Sequence, residues 1–112
     1  MAIVIGSDIT LSTAAYIKTA NLITGRHQFL GKGRLVVIGY PSAVGMNVSL
    51  SVGGVPLVDD AKIGWFGSTG SMNTKEHVII DQVIAGGTAE LYLRNTTNGA
   101  LTTDYVVYFT PM

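Results

Sequence analysis

The stretch MNVSLSVGGVPLV, residues 46–58, constrains the fold more than any other part of the chain. Met46, Val48, Leu50 and Val52 fall on one parity and Asn47, Ser49 and Ser51 on the other, the period-two signature of a strand with one face buried. Gly53-Gly54 then supplies two positions that accept the positive φ of a tight hairpin turn. Val55–Val58 resumes the pattern, but Pro56 has no N–H to give a ladder, which predicts an edge strand. The same grammar predicts strands at Arg26–Leu30, Arg34–Tyr40, Met46–Val52, Val55–Val58, Ala61–Phe66, His77–Ile84, Thr88–Asn95 and Asp104–Thr110. Glycine, proline, asparagine and aspartate breakers separate them. Short strands at about 8–12-residue spacing make an all-β chain, an antiparallel β-sandwich or jelly roll of about eight strands.

Two further patterns concern burial. Ala89, Leu91 and Leu93 form a second core parity, with Val48 and Leu50 in the first. HVIIDQVI (77–84) and YVVYF (105–109) are apolar on both parities. A strand apolar on both sides is expected to be central or contacted from two directions, by a second sheet and by a partner chain.

Residues 1–24 read differently. STAAYIKTANLI (12–23) has loosely helical spacing, with Ser12 as N-cap and Gly25 as stop, but four threonines and Asn21 between residues 10 and 24 weaken a helix. Strand alternation also fails beyond Leu11. We therefore divide the chain into an N-terminal extended arm, 1–24, and a β-sandwich domain, 25–112. The arm is expected to leave the body and dock on another chain, and its tip, Ile3, Val4 and Ile5, to be paired or buried.

At 112 residues the sandwich is large enough for one core, and it has no cysteine for disulfides or thiolate metal sites, as in a reducing compartment. MAIVIGSDITL lacks the positive start of a secretory signal. Only seven Lys and Arg and seven Asp and Glu are present, 12% of the chain against about 25% in an average soluble domain. Residues 35–58 carry no charge, yet their glycines, prolines and strand period exclude a membrane helix. A charge-poor chain of positive mean hydropathy suggests surface covered by other chains; a Ser/Thr/Gly-coated monomer is the alternative. Residues 9–58 hold the cations Lys18, Arg26, Lys32 and Arg34 and no acid, whereas residues 59–112 hold six acids and three cations. This split allows one copy to meet the next, or marks opposite faces of one sandwich.

No residue pattern indicates catalysis, a cofactor or a metal. Asp59-Asp60 read as turn residues, since adjacent carboxylates on a strand point to opposite faces. His27 and His77 stand far apart outside any metal-ligand spacing, and no G-x-S-x-G elbow is present. GKGR (31–34) sits between strands and lacks the rest of a phosphate loop. Asn47 and Asn95 match the glycosylation pattern; Asn95 to Asn98 read more simply as a polar loop that bonds its own backbone. Arg26, His27, Lys32 and Arg34 form a cationic hairpin without a stacking platform or net positive charge, which argues against nucleic acid. Trp65 and Phe66, adjacent on a predicted strand, put one ring inward and leave the other for a loop end or interface.

HQFLGKGRLVVIGYP, NVSLSVGGVPLVDDAKIGWFGSTGS and VIAGGTAELYLRNTTNGALTTDYVVYF together resemble the single jelly-roll cement, or decoration, proteins of tailed-bacteriophage heads. The likeness spans residues 25–112. It implies a non-enzymatic structural protein without cofactors, made in the host cytoplasm and attached to the capsid exterior. The implied partners are the major capsid protein and two further copies of the chain, with neither nucleic acid nor membrane. Interface candidates are Ile3, Val4, Ile5, Tyr16, Ile17, Arg26, Arg34, Trp65 and Phe66. A carbohydrate-binding sandwich and a small viral coat protein are the alternative functions.

Overall fold

A computed structural model describes residues 2–63 and 78–112. Eight strands are present among them: β1 (Ile3–Thr13), β2 (Phe29–Leu30), β3 (Gly33–Pro41), β4 (Met46–Val52), β5 (Val55–Lys62), β6 (Val78–Ile84), β7 (Gly87–Asn95) and β8 (Leu101–Pro111). They form two four-stranded antiparallel sheets, β1-β8-β3-β6 and β2-β7-β4-β5. The order has a simple origin. β1 pairs with β8, β2 with β7, β3 with β6 and β4 with β5, so the first half of the chain is one arm of a long hairpin and the second half the other. Rolling that hairpin adds the β3–β8 and β4–β7 pairings and closes two sheets over one core. This is jelly-roll connectivity.

The core follows the parities of the sequence. Met46, Val48, Leu50 and Val52 are at most 5% exposed and face Ala89, Leu91 and Leu93 from β7 in the same sheet. Leu35, Val37, Tyr105, Val107 and Phe109 meet them from the opposite sheet. Burial and the Asp8 charge push the Tyr105 phenol up. The turn at Gly53-Gly54 has φ of 61° and 78°, values a side chain would strain. Gly87 is held by a neighbour, since a Cβ there would sit 2.6 Å from the Gly53 Cα.

Several elements differ from the sequence-based expectation. Residues 3–13 are not an arm: β1 is the outer strand of the first sheet, paired along β8, with Ile5 in the core. The alternation fails there because register shifts between Val4 and Gly6 and between Asp8 and Leu11 reset the parity. Residues 17–22 are neither helical nor detached. They run antiparallel to the free edge of β7, with Thr19 N donating to Leu93 O (2.9 Å), Leu22 N to Leu91 O (2.8 Å) and Asn95 N to Ile17 O (3.0 Å). Where backbone partners run out, Asn21 Oδ1 accepts from Leu91 N and Thr19 Oγ1 from Leu93 N, so polar side chains complete the ladder.

Three strands also change. Arg26–Leu30 is a 3-10 turn, Gly25–Gln28, followed by the two-residue β2. Val55–Val58 and the following run join into β5, and Asp59-Asp60 is a bulge rather than a turn: Leu50 opposes Val58 and Val48 opposes Ala61, with Asp60 at φ 48°. β6 is an edge strand, so of the two expectations for it, central or contacted from two directions, the first does not hold, because the rolled hairpin places its last pair outermost.

Candidate docking surface

The outward faces of the two sheets are chemically opposite. On the β2-β7-β4-β5 sheet the outward residues of β4 and β7 are Asn47, Ser49 and Ser51 beside Glu90, Tyr92 and Arg94. Every one is engaged. Arg94 forks onto Asp60 at 2.7 and 3.0 Å, holding that carboxyl below its usual range. Asn47 Nδ2 donates to Asp60 O, and Asp60 N donates to Ser49 Oγ, which satisfies the backbone that the bulge frees. The Tyr92 hydroxyl and Ser51 donate to Glu90, and the first of these bonds raises the phenol's pKa. Lys18 Nζ lies 4.3 Å above the Tyr92 ring, within cation–π range. The small polar face of β4 thus works on its neighbours, knitting three strands together.

The outward face of the β1-β8-β3-β6 sheet is apolar at its centre and polar at its margins. Its cross-strand rows are Val4–Tyr108–Val36–Asp81 and Ser7–Val106–Ile38–Val78, flanked by Thr110–Arg34–Val83 and Asp104–Tyr40. Ile38 and Val106 are deeply buried yet do not belong to the inter-sheet core. Val4, Val78 and Val83 stand 39–53% exposed around them. Arg34 and Asp81 pair across these rows, bidentate at 2.5 and 2.6 Å, which depresses the Asp81 carboxyl and neutralises both charges. β8 therefore carries apolar side chains toward the core, at Tyr105, Val107 and Phe109, and outward, at Val106 and Tyr108.

The nine interface candidates are scattered. Val4 and Arg34 lie on this face, whereas Ile3 is paired at the sheet edge, 42% exposed, and Ile5 is in the core. Tyr16 and Ile17, 68% and 52% exposed, lie at the end of the sandwich formed by the 14–17, 42–45 and 96–100 loops. Trp65, Phe66 and the side chain of Arg26 lie outside the described residues. Sequence reasoning missed Val36, Ile38, Tyr40, Val78, Val106 and Tyr108 as one surface. The doubly apolar runs signalled it, but only the register brings three strands into rows.

Other chemistry is sparse. Among the described residues no three His, Cys, Asp or Glu converge as metal ligands, and no helix is long and apolar enough to cross a membrane. Asn95 is fully buried, with Nδ2 donating to Thr13 O (3.0 Å) and Gly99 O (2.8 Å) and Oδ1 accepting from Thr97 N and Oγ1. It latches the loop as the sequence suggested, and its amide has no freedom to carry a glycan. No model of a known protein family matches the chain, and no curated protein is significantly similar to it.

Proposed function

We propose that this chain is a structural subunit, a capsid decoration protein that lays its apolar sheet face on the outside of a phage head. One observation carries the reading: the outer rows of β8, β3 and β6 centre on the apolar Val36, Ile38, Val78, Val106 and Tyr108, while the outward side chains of β4 and β7 on the opposite sheet are polar and hydrogen-bonded. Ile38 and Val106 are already buried within the chain, and a subunit that docks on protein gains further burial at Val4, Val78 and the half-buried Tyr108 around them. The Arg34–Asp81 pair within the rows adds register at little electrostatic cost. In this reading the chain works as a homotrimer, so that several modest contacts to the major capsid protein act together.

A glycan-binding role has one point in its favour, the groove of about 200 Å³ along the polar sheet near Ser49, Ser51, Glu90 and Tyr92. Lys18 already covers the Tyr92 ring that a sugar would stack on.

The test is the mass of the purified protein by sedimentation, alone and mixed with emptied phage heads. The proposal expects an oligomer that co-sediments with the heads. A monomer that ignores heads and binds a glycan array overturns it.

A further inference from the structure

Where β5 and β6 form the outer edges of the two sheets, a cleft of about 240 Å³ opens between them. Its walls are Val52, Val55, Leu57, Val83 and Ile84, with Gln82 at the side; Val55 and Val83 are 60% and 53% exposed. The β5 edge is unsuited to receiving another strand. Pro56 offers no N–H, and the bulge at Asp59-Asp60 breaks the ladder. What the cleft can take is an apolar side chain. An apolar cavity of roughly 150 Å³ already accepts a benzene ring.

The chain presents such a ring. Phe29 is 71% exposed on β2, the opposite edge of the β5 sheet. It pairs with Thr88, whose carbonyl also accepts the Gly53 N–H at 2.9 Å, so ring and cleft lie at the same end of the sandwich. Three strand spacings, about 14 Å, separate the two edges. The residues lining the cleft are all uncharged, which suits it to a neutral ring.

We propose that copies of this chain associate head to tail, with Phe29 of one copy seated in the β5–β6 cleft of the next. A knob and a hole on opposite edges make a heterologous contact, which closes into a ring when the rotation between copies allows. The inference shares with the proposed function the premise of self-assembly, and of the outward face of β8, β3 and β6 it uses only the margin at Val83, so the rows through Tyr108, Val36, Val106 and Ile38 are left for another partner.

The chain has no cysteine, so single substitutions give clean probes. Phe29→Cys and Val83→Cys proteins are mixed and treated with a short bismaleimide. Covalent dimer is expected at several times the yield of either protein alone, or of Phe29→Cys mixed with Asn98→Cys at the far end. Phe29→Ser is expected to sediment at monomer mass with an unchanged circular dichroism spectrum. Equal cross-linking by Phe29→Cys alone, which means a symmetric contact, overturns the proposal, as does a mixture no better than the Asn98→Cys control. Loss of head attachment with this cross-link intact refutes the docking face and leaves the head-to-tail contact standing; the reverse outcome refutes only the contact.

Discussion

Replacing Asn95 by alanine tests how far one polar side chain holds the loop end together. Asn95 is 0% exposed and makes four hydrogen bonds, to Thr13 O, Gly99 O, Thr97 N and Thr97 Oγ1. Gly99 is exposed and Thr97 partly so, and both can turn to water; Thr13 is 2% exposed, so its carbonyl is left with no solvent partner. Three bonds lost at about 0.5–1 kcal/mol each and one stranded carbonyl at about 1–2 kcal/mol give roughly 3 kcal/mol. With an unfolding entropy of about 2.1 cal/mol/K per residue over this length, each kcal/mol is worth about 4 °C, so Tm falls by about 12 °C. Urea denaturation and a thermal melt read the loss directly. Asn95→Asp should be at least as damaging at neutral pH, because it trades two donated bonds for a carboxylate facing two carbonyl oxygens, and it should recover partly when acid protonates it. A loss under about 1 kcal/mol in Asn95→Ala refutes the latch.

Leu91→Ala, at a side chain 1% exposed opposite Leu50, should cost about 2–5 kcal/mol in chemical denaturation. Among the described residues Thr13 and Thr103 bury hydroxyls with no hydrogen-bond partner, so Thr103→Val should raise Tm or leave it unchanged, where an ordinary buried hydrogen-bonded threonine would lose stability. Arg34 and Arg94 hold Asp81 and Asp60 below their unfolded pKa, so the unfolded chain takes up protons first on acidification. Their contribution is complete above the unfolded value of about 3.9 and is lost as pH falls through the depressed folded values. A melt series from pH 6 to 2 should therefore decline less steeply in Arg34→Gln/Arg94→Gln than in the parent, and salt should shrink the difference.

The sequence discloses this fold where a strand keeps one register. Met46 to Val52 and Gly87 to Asn95 run without a bulge against each other, and their parities name the core correctly. It misleads where register slips. In β1 two shifts reverse the inward parity, so a paired strand reads as an arm; in β5 the Asp59-Asp60 bulge reads as a turn. Ile17 to Leu22 hides for another reason. Its ladder is completed by Asn21 and Thr19 side chains, and those residue types also suit loops. The outward face of β8, β3 and β6 was half visible. YVVYF announces a strand apolar on both sides, but that Tyr108 lies beside Val4 and Val36, and Val106 beside Ile38, is long-range pairing that no local pattern encodes. The cleft and Phe29 belong to the same class, since one is built by two strands distant in sequence.

The central claim is that β8 serves two masters, the core through Val107 and a partner through Tyr108. Sedimentation of a Tyr108→Lys variant with emptied phage heads tests it most directly, read beside its own melting curve and that of Val107→Ala. Val107 is 0% exposed in the core, whereas Tyr108 is half-buried on the outward face. The account predicts that Tyr108→Lys melts within a few degrees of the parent and no longer pellets with heads, while Val107→Ala loses stability and still attaches at low temperature. A Tyr108→Lys protein that pellets as the parent does, or that melts as early as Val107→Ala, contradicts it.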